Sequence, residues 1–152
     1  MRAALDTNVL AYAEGLNGSA MRAATLNFVS RLPQDAVLLP VQALAELFHL
    51  LVRKAKRPPA RARAAVFDWL DSFSVIETSV GVLLGAADLS ADHRFKIWDA
   101  LILSAAAEAG CRLLISEDLQ DGFTWHGVTV TNPFATRRHP LLEGLLNAAE
   151  GF

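Results

Sequence analysis

Cysteine is nearly absent: Cys111 is the only one in 152 residues. An intramolecular disulfide is therefore excluded, and a lone cysteine in an apolar run reads as a small buried thiol suited to a reducing cytoplasm. Long hydrophobic runs are missing too. The most apolar stretches, 41–52 and 97–107, are broken by charge, well short of the roughly 18 to 20 residues of a membrane span. The start, MRAALDTN, lacks the apolar core of a secretory leader, so neither export nor a membrane partner is expected. No excess of one charge exists: 14 Lys+Arg face 16 Asp+Glu, a formal charge of -2. Any contact with nucleic acid has to be local. The phosphate-binding loops GxxxxGK[ST] and GxGxxG and the nucleophile elbow GxSxG do not occur, and Cys111 has no evident histidine partner. His49, His93, His126 and His139 lack the spacing of a zinc site. Repeats, low-complexity tracts and interdomain linkers are also absent.

What the chain does have is apolar content, 53% hydrophobic with a mean hydropathy of +0.29. That supports one domain over 1–152 with a substantial core. It also leads us to expect apolar surface covered by a partner or a second copy, with 44–52 and 141–146 as possible cover sites or ordinary core. Short apolar strands are expected at 3–5, 36–40, 73–78, 111–116 and 127–131. Helices are expected from Val9, with Thr7 or Asn8 as cap, and over 19–32, from Val41, over 60–72, from a Ser79 cap to Leu89, over 97–109, and over 139–149. SADHRFK at 90–96 reads as a connection and EDLQDG at 117–122 as a turn. Strands alternating with helices imply a three-layer α/β/α domain with a mostly parallel central sheet. In such sheets sites gather at the carboxyl ends of strands, and Asp6 and Asp118 fall just past two of them.

Four acids stand out, each with a structural alternative. Asp6 follows the first apolar run and is equally well read as a helix cap. Glu46 shares a polar stripe with Gln42, His49 and Arg53 and reads alone as a solvated side chain. Asp99 lies nine residues, half a helical turn, from Glu108; if Glu108 faces water, Asp99 faces inward. Its alternative is a favourable place near a helix N-terminus. Asp118 and neighbouring Asp121 can serve a turn.

In order, DTNVL, AELF, WDALIL, LLISEDLQDG and TNPF resemble the PIN-domain ribonucleases. Within that group they are most similar to VapC-type toxins of toxin–antitoxin pairs. The resemblance covers about 3–134 and leaves 135–152 as a C-terminal extension or helix. It implies a set of acids converging on Mg2+, or Mn2+, carried here by Asp6, Glu46, Asp99 and Asp118. Asn8, Ser116 and Asp121 take supporting positions. Oxygen-only donors of this kind suit hard cations, and unit charges about 4 Å apart repel by roughly 4 kcal/mol at an effective dielectric near 20. The implied activity is hydrolysis of RNA phosphodiester bonds, and the implied partners are RNA, a small cognate antitoxin and a second copy in a homodimer.

Local positive charge is concentrated in RKAKRPPARAR at 53–63, which holds six of the 14 basic residues and no acid. Arg53, Lys54, Lys56 and Arg57 there, with Arg94 and Lys96 before Asp99, are candidates for phosphate contact. The alternative is a solvated turn or a contact for an acidic partner. A non-catalytic PIN-like module that binds RNA or protein is the competing reading of the whole chain. A magnesium phosphohydrolase of another α/β family is a further enzyme alternative, although DTN lacks the DxD pair of the common aspartyl-phosphate type.

Overall fold

The computed structural model describes residues 1–150. Its sheet has six strands in the order β3-β2-β1-β4-β6-β5. These are β1 (Ala3–Leu5), β2 (Val37–Pro40), β3 (Ser74–Ile76), β4 (Leu113–Ile115), β5 (Thr124–Trp125) and β6 (Val128–Thr131). All neighbours pair in parallel except β5, which runs antiparallel to β6. The helices are α1 (Thr7–Ala13), α2 (Ser19–Ser30), α3 (Val41–Arg53), α4 (Pro59–Ser72), α5 (Val80–His93), α6 (Ile97–Glu108) and α7 (Pro140–Glu150), with a 3-10 turn at Gln34–Ala36. The chain is thus an α/β fold with a mostly parallel central sheet flanked by helices. No helix among the described residues is long and apolar enough to cross a membrane.

The sheet's interior explains the short strands. β1 and β4 are buried at every position, because helices cover a parallel sheet on both sides and leave no face for water. α1 packs on α2 and α3, and α3 on α4, whereas α5 lies along α6. That grouping is what right-handed crossovers give when the order runs from β1 outward to β3 and then returns to β4. α7 docks beside the end of α2: Leu142, Leu145 and Leu146 are buried, and Arg31 pairs with Glu150 at 2.7 Å.

Several boundaries differ from expectation for identifiable reasons. Asp6, not Thr7 or Asn8, is the N-cap of α1, so the helix begins at Thr7. α5 continues through Ser90–His93 and closes at Arg94, which takes the left-handed cap conformation at φ 61; the connection to α6 is only Phe95 and Lys96 beyond that cap. β5 was not anticipated. It is the first arm of a hairpin whose two-residue turn, His126 and Gly127, has φ of 47 and 83, the positive pair that a tight antiparallel turn requires.

The proposed cover sites at 44–52 and 141–146 are mainly core: Leu44, Leu47, Leu51, Leu142, Leu145 and Leu146 are buried. Phe48 within the first of these is exposed, and further exposed apolar side chains occur at Val80, Leu83 and Leu84 on α5 and at Phe67 and Leu70 on α4. Cys111 is a buried free thiol, and burial pushes its pKa up to about 11, which makes it a poor nucleophile.

Candidate metal centre

The strand order reverses between β1 and β4: the chain leaves β1 toward β2 on one side, and β4 adds on the other. Open parallel sheets form a crevice at the carboxyl ends of such a pair. Asp6 is the residue after β1, and Ser116, Glu117 and Asp118 follow β4. The backbone ties the two ends together, with Asp6 N–H donating to Ile115 C=O at 3.0 Å, and Ser116 N–H holds the β4 end to β6 by donating to Thr131 C=O at 3.0 Å.

Asp6 is only 3% exposed and lies at the floor of a cleft of about 570 Å³. Glu46 from α3, Asp99 from the first turn of α6, Asp118, Thr7 and Asn8 line the same cleft. Four acids spaced widely in sequence are therefore brought together. Asp6 serves two purposes at once, since its Oδ1 accepts the Thr7 N–H at 2.7 Å and caps α1. Its Oδ2 accepts from the Ser116 hydroxyl at 2.7 Å and from Asn8 Nδ2 at 3.2 Å.

Asn8 organises the loop after β4. Its Oδ1 accepts the Glu117 N–H at 3.1 Å, which fixes the amide's orientation. Nδ2 then faces Asp6 Oδ2, Ser116 Oγ at 3.2 Å and Asp118 Oδ2 at 3.3 Å. The amide has two hydrogens for these three oxygens. Thr7 donates its hydroxyl to Glu46 Oε2 at 3.1 Å, a role hidden in the sequence because Thr7 reads as a cap. Tyr12 was also missed. Its hydroxyl donates to Glu117 Oε1 at 2.8 Å and braces the same loop.

The crowded carboxyls resist ionisation. Burial pushes the Asp6 pKa up from 3.8 to about 6; the Ser116 and Thr7 hydrogen bonds oppose this, while Asp99 and Glu46 add repulsion. Glu46 is raised by burial, with the Thr7 hydrogen bond opposing and Asp99 adding to the shift. Asp99 is raised by burial, with Lys96 opposing and Asp118 adding. A cation among these groups would relieve all three shifts.

The four acids offer oxygen donors, and His49 is the single imidazole along the same cleft, a set that suits Mg2+ or Mn2+ rather than zinc. Among the described residues no three His, Cys, Asp or Glu side chains close into a ready cage. Mg2+ does not require one, because it binds through one or two carboxylates and keeps several waters. The residues present fit such an ion.

The supporting and basic positions divide. Asn8 and Ser116 are in the network, but Asp121 is not: its Oδ1 accepts the Asn132 N–H at 3.0 Å and staples a loop. Arg57 is likewise structural rather than open to phosphate, since it pairs with Glu14 at 2.9 Å, and Trp69 Nε1 donates to the same carboxylate at 3.1 Å. Lys54 lines the cleft, whereas Arg53 and Lys56 do not. Arg94 and Lys96 line a second groove that shares Asp99 and Asp118 with the first.

A mostly parallel α/β sheet with acids gathered in the crevice at its reversal point defines the class of protein, an α/β domain with its candidate site at the carboxyl ends of the strands. The PIN domain family model matches residues 3–121, and the chain belongs to the PIN domain family. No curated protein matches it by sequence. Among solved structures, it is similar to FitAcB from Neisseria gonorrhoeae, at 17% identity over 87% of this chain and 98% of that one, TM-score 0.65. A toxin–antitoxin complex from Klebsiella pneumoniae matches at 20% identity over 84% and 95%, TM-score 0.62. VapC20 from Mycobacterium tuberculosis, a toxin that cleaves the sarcin–ricin loop, matches at 17% identity over 74% and 86%, TM-score 0.63. At these identities the likeness is one of fold.

Proposed function

We propose that this protein is a divalent-cation-dependent ribonuclease acting as the toxin of a toxin–antitoxin pair, in the cytoplasm. The observation that carries this reading is the convergence of Asp6, Glu46, Asp99 and Asp118, with Asn8, on one cleft. Structural kinship with VapC20 and with the Klebsiella toxin–antitoxin complex supports the substrate and the partner.

Asp6 and Asp99 are the principal holders of Mg2+ or Mn2+, and Glu46 and Asp118 complete the surrounding sphere or position water. The ion, when bound, supplies charge stabilisation for the phosphodiester and lowers the pKa of water. The chain's own residues do the rest. Ser116 and Asn8 direct Oδ2 of Asp6, Thr7 directs Glu46, and burial of Asp6 excludes bulk water from the floor. A cognate antitoxin would cover this cleft, and a homodimer would cover exposed apolar surface such as Val80, Leu83 and Leu84.

The test is cleavage-site mapping on total RNA with Mg2+ or Mn2+, with Asp6→Asn and Asp99→Asn as controls. Discrete cuts with wild type and none with either variant support the reading. Full activity in both variants overturns the site, and absence of any cation-dependent cleavage overturns the function. Neutralisation by the product of a neighbouring short reading frame tests the toxin assignment separately.

A further inference from the structure

Three of the four acids are set by regular structure. Asp6 caps α1, Glu46 stands within α3, and Asp99 belongs to the first turn of α6. Asp118 lies in no helix or strand. Among the described residues its side chain receives a hydrogen bond only from Asn8 Nδ2, at 3.3 Å, and that amide also faces Asp6 and Ser116. Something further has to fix its place.

We propose that Tyr12 and Glu117 form a positioning pair that holds the Asp118 carboxylate in register with Asp6 and Asp99 for cation binding. Neither side chain of the pair is a ligand. This rests on the cation-dependent ribonuclease reading above and adds two residues that tune it.

Tyr12 lies four residues beyond Asn8 on α1, so both side chains leave the same face of that helix. They grip residue 117 at two points: Asn8 Oδ1 accepts its N–H at 3.1 Å, and the Tyr12 hydroxyl donates to its Oε1 at 2.8 Å. One bond leaves the loop free to pivot, whereas two set the direction in which the chain enters Asp118. The Glu117 carboxylate does not line the acidic cleft. Tyr12 is itself held, with its ring 5.8 Å from that of Phe134 in the loop after β6. Burial and the neighbouring carboxylates push its hydroxyl up to about 12, so it stays a donor at neutral pH.

Beyond Asp118 the loop is fastened again, where Asp121 accepts the Asn132 N–H at 3.0 Å and Gly122 N–H donates to Val130 C=O at 2.8 Å. Asp118 thus sits in a short span pinned at both ends, and Tyr12 supplies half of the nearer pin. Removing partners that orient a cation's ligands typically costs about 10- to 100-fold in affinity or activity.

The variants are Tyr12→Phe, which keeps the ring on Phe134, Glu117→Ala, Glu117→Gln, and Tyr12→Phe combined with Glu117→Ala. Three quantities are measured: amide hydrogen exchange over 116–120 in EDTA, the rise in melting temperature on titration with Mn2+, and the Mn2+ dependence of total-RNA cleavage. Tyr12→Phe and Glu117→Ala should speed exchange in the loop and raise the Mn2+ midpoint by about tenfold or more. Their metal-free melting temperatures should fall by only about 2 to 4 °C, as loss of one hydrogen bond gives. The double variant should be no worse than the more impaired single one, because both remove the same bond. Glu117→Gln should restore most of what Glu117→Ala loses, since an amide oxygen accepts the same bond.

An unchanged Mn2+ midpoint in Tyr12→Phe overturns the pair. So does a Glu117→Gln variant as impaired as Glu117→Ala, which would make charge rather than the bond the working feature, and so do losses that multiply in the double variant. If wild type binds Mn2+ but cuts no RNA, the ribonuclease reading falls, while raised melting midpoints in Tyr12→Phe and Glu117→Ala still uphold the pair. If wild type cuts RNA, Asp6→Asn does not, and Tyr12→Phe keeps the wild-type midpoint, only the pair falls.

Discussion

Ser116 and Asp6 lie 110 residues apart in sequence, yet the serine hydroxyl reaches Oδ2 of the aspartate at 2.7 Å. The bond exists because β1 and β4 are adjacent parallel strands that end level, with Leu5 opposite Ile115. It lowers the pKa of a carboxyl that burial raises. Replacing Ser116 by Ala should therefore raise the Asp6 pKa further and move the acidic limb of the cleavage pH profile upward, measured as kcat/KM against pH. An unmoved limb would show that Asp6 does not set it.

The Asp6 shift also has a stability consequence. A carboxyl with a folded pKa of about 6 and an ordinary value of 3.8 binds its proton more tightly in the folded chain. Stability in the absence of metal should therefore fall as pH rises from about 4 to about 6 and stay lower above that, by on the order of 3 kcal/mol from this group alone. Asp6→Asn should flatten that part of the profile and raise stability at neutral pH. The gain should be about 1 to 2 kcal/mol, because the new amide would face Asn8 Nδ2, donor against donor. Urea unfolding in EDTA across this range tests the sign.

Mg2+ or Mn2+ should raise the melting temperature of wild type at neutral pH, since a ligand that binds only the folded state stabilises it. The increase should shrink below about pH 6, where the proton competes for Asp6, and vanish in Asp6→Asn. Differential scanning fluorimetry with and without cation would reveal this. A shift that persists in the variant places the ion elsewhere.

Arg57 predicts a different phenotype from Lys54. Its guanidinium and the Trp69 indole share the Glu14 carboxylate, half-buried between α1 and α4. Removing Glu14 leaves two donors unpaired, so Glu14→Ala should cost about 2 to 4 kcal/mol in denaturant unfolding. Cleavage per folded molecule should remain near wild type. A loss of activity without a loss of stability would return Arg57 to the substrate side.

Two glycines on α5 form a matched pair. A Cβ at Gly85 would press into buried Ser104 and the Trp125 ring, whereas one at Gly81 would meet only the exposed Glu108 carboxylate. Gly81→Ala should be neutral or stabilise by up to about 1 kcal/mol through helix propensity. Gly85→Ala should destabilise by about 1 to 2 kcal/mol because overpacking exceeds that gain. Thermal melts of the two variants compare them directly.

The order of strands and helices was legible from apolar runs and breakers, because buried parallel strands leave so plain a signal. The ends were less so. Arg94 caps α5 although it is not glycine, which is why Ser90–His93 looked like a connection, and the His126 turn hid β5 for the same reason. In the site, strand ends put Asp6 after β1 and periodicity turned Asp99 inward, but only the resemblance joined them in one set. Glu46 could not be placed by pattern, since a half-exposed side chain in a polar stripe has the same pattern as a solvated one. Asp121 and Arg57 resembled site residues by neighbourhood, but their partners, Asn132 and Glu14, are set by tertiary contact that no local pattern carries.

The Asn8 amide faces more acceptors than it has hydrogens. A surplus of this sort leaves the amide a choice: were one carboxylate oxygen to turn toward a cation, the donor would have another acceptor already within reach. The loop after β4 would then need little rearrangement to keep its buried polar atoms paired. Readiness of that kind depends on the length of one side chain. Aspartate in its place would add a charge, and glutamine would carry the amide a methylene too far to serve the three oxygens together.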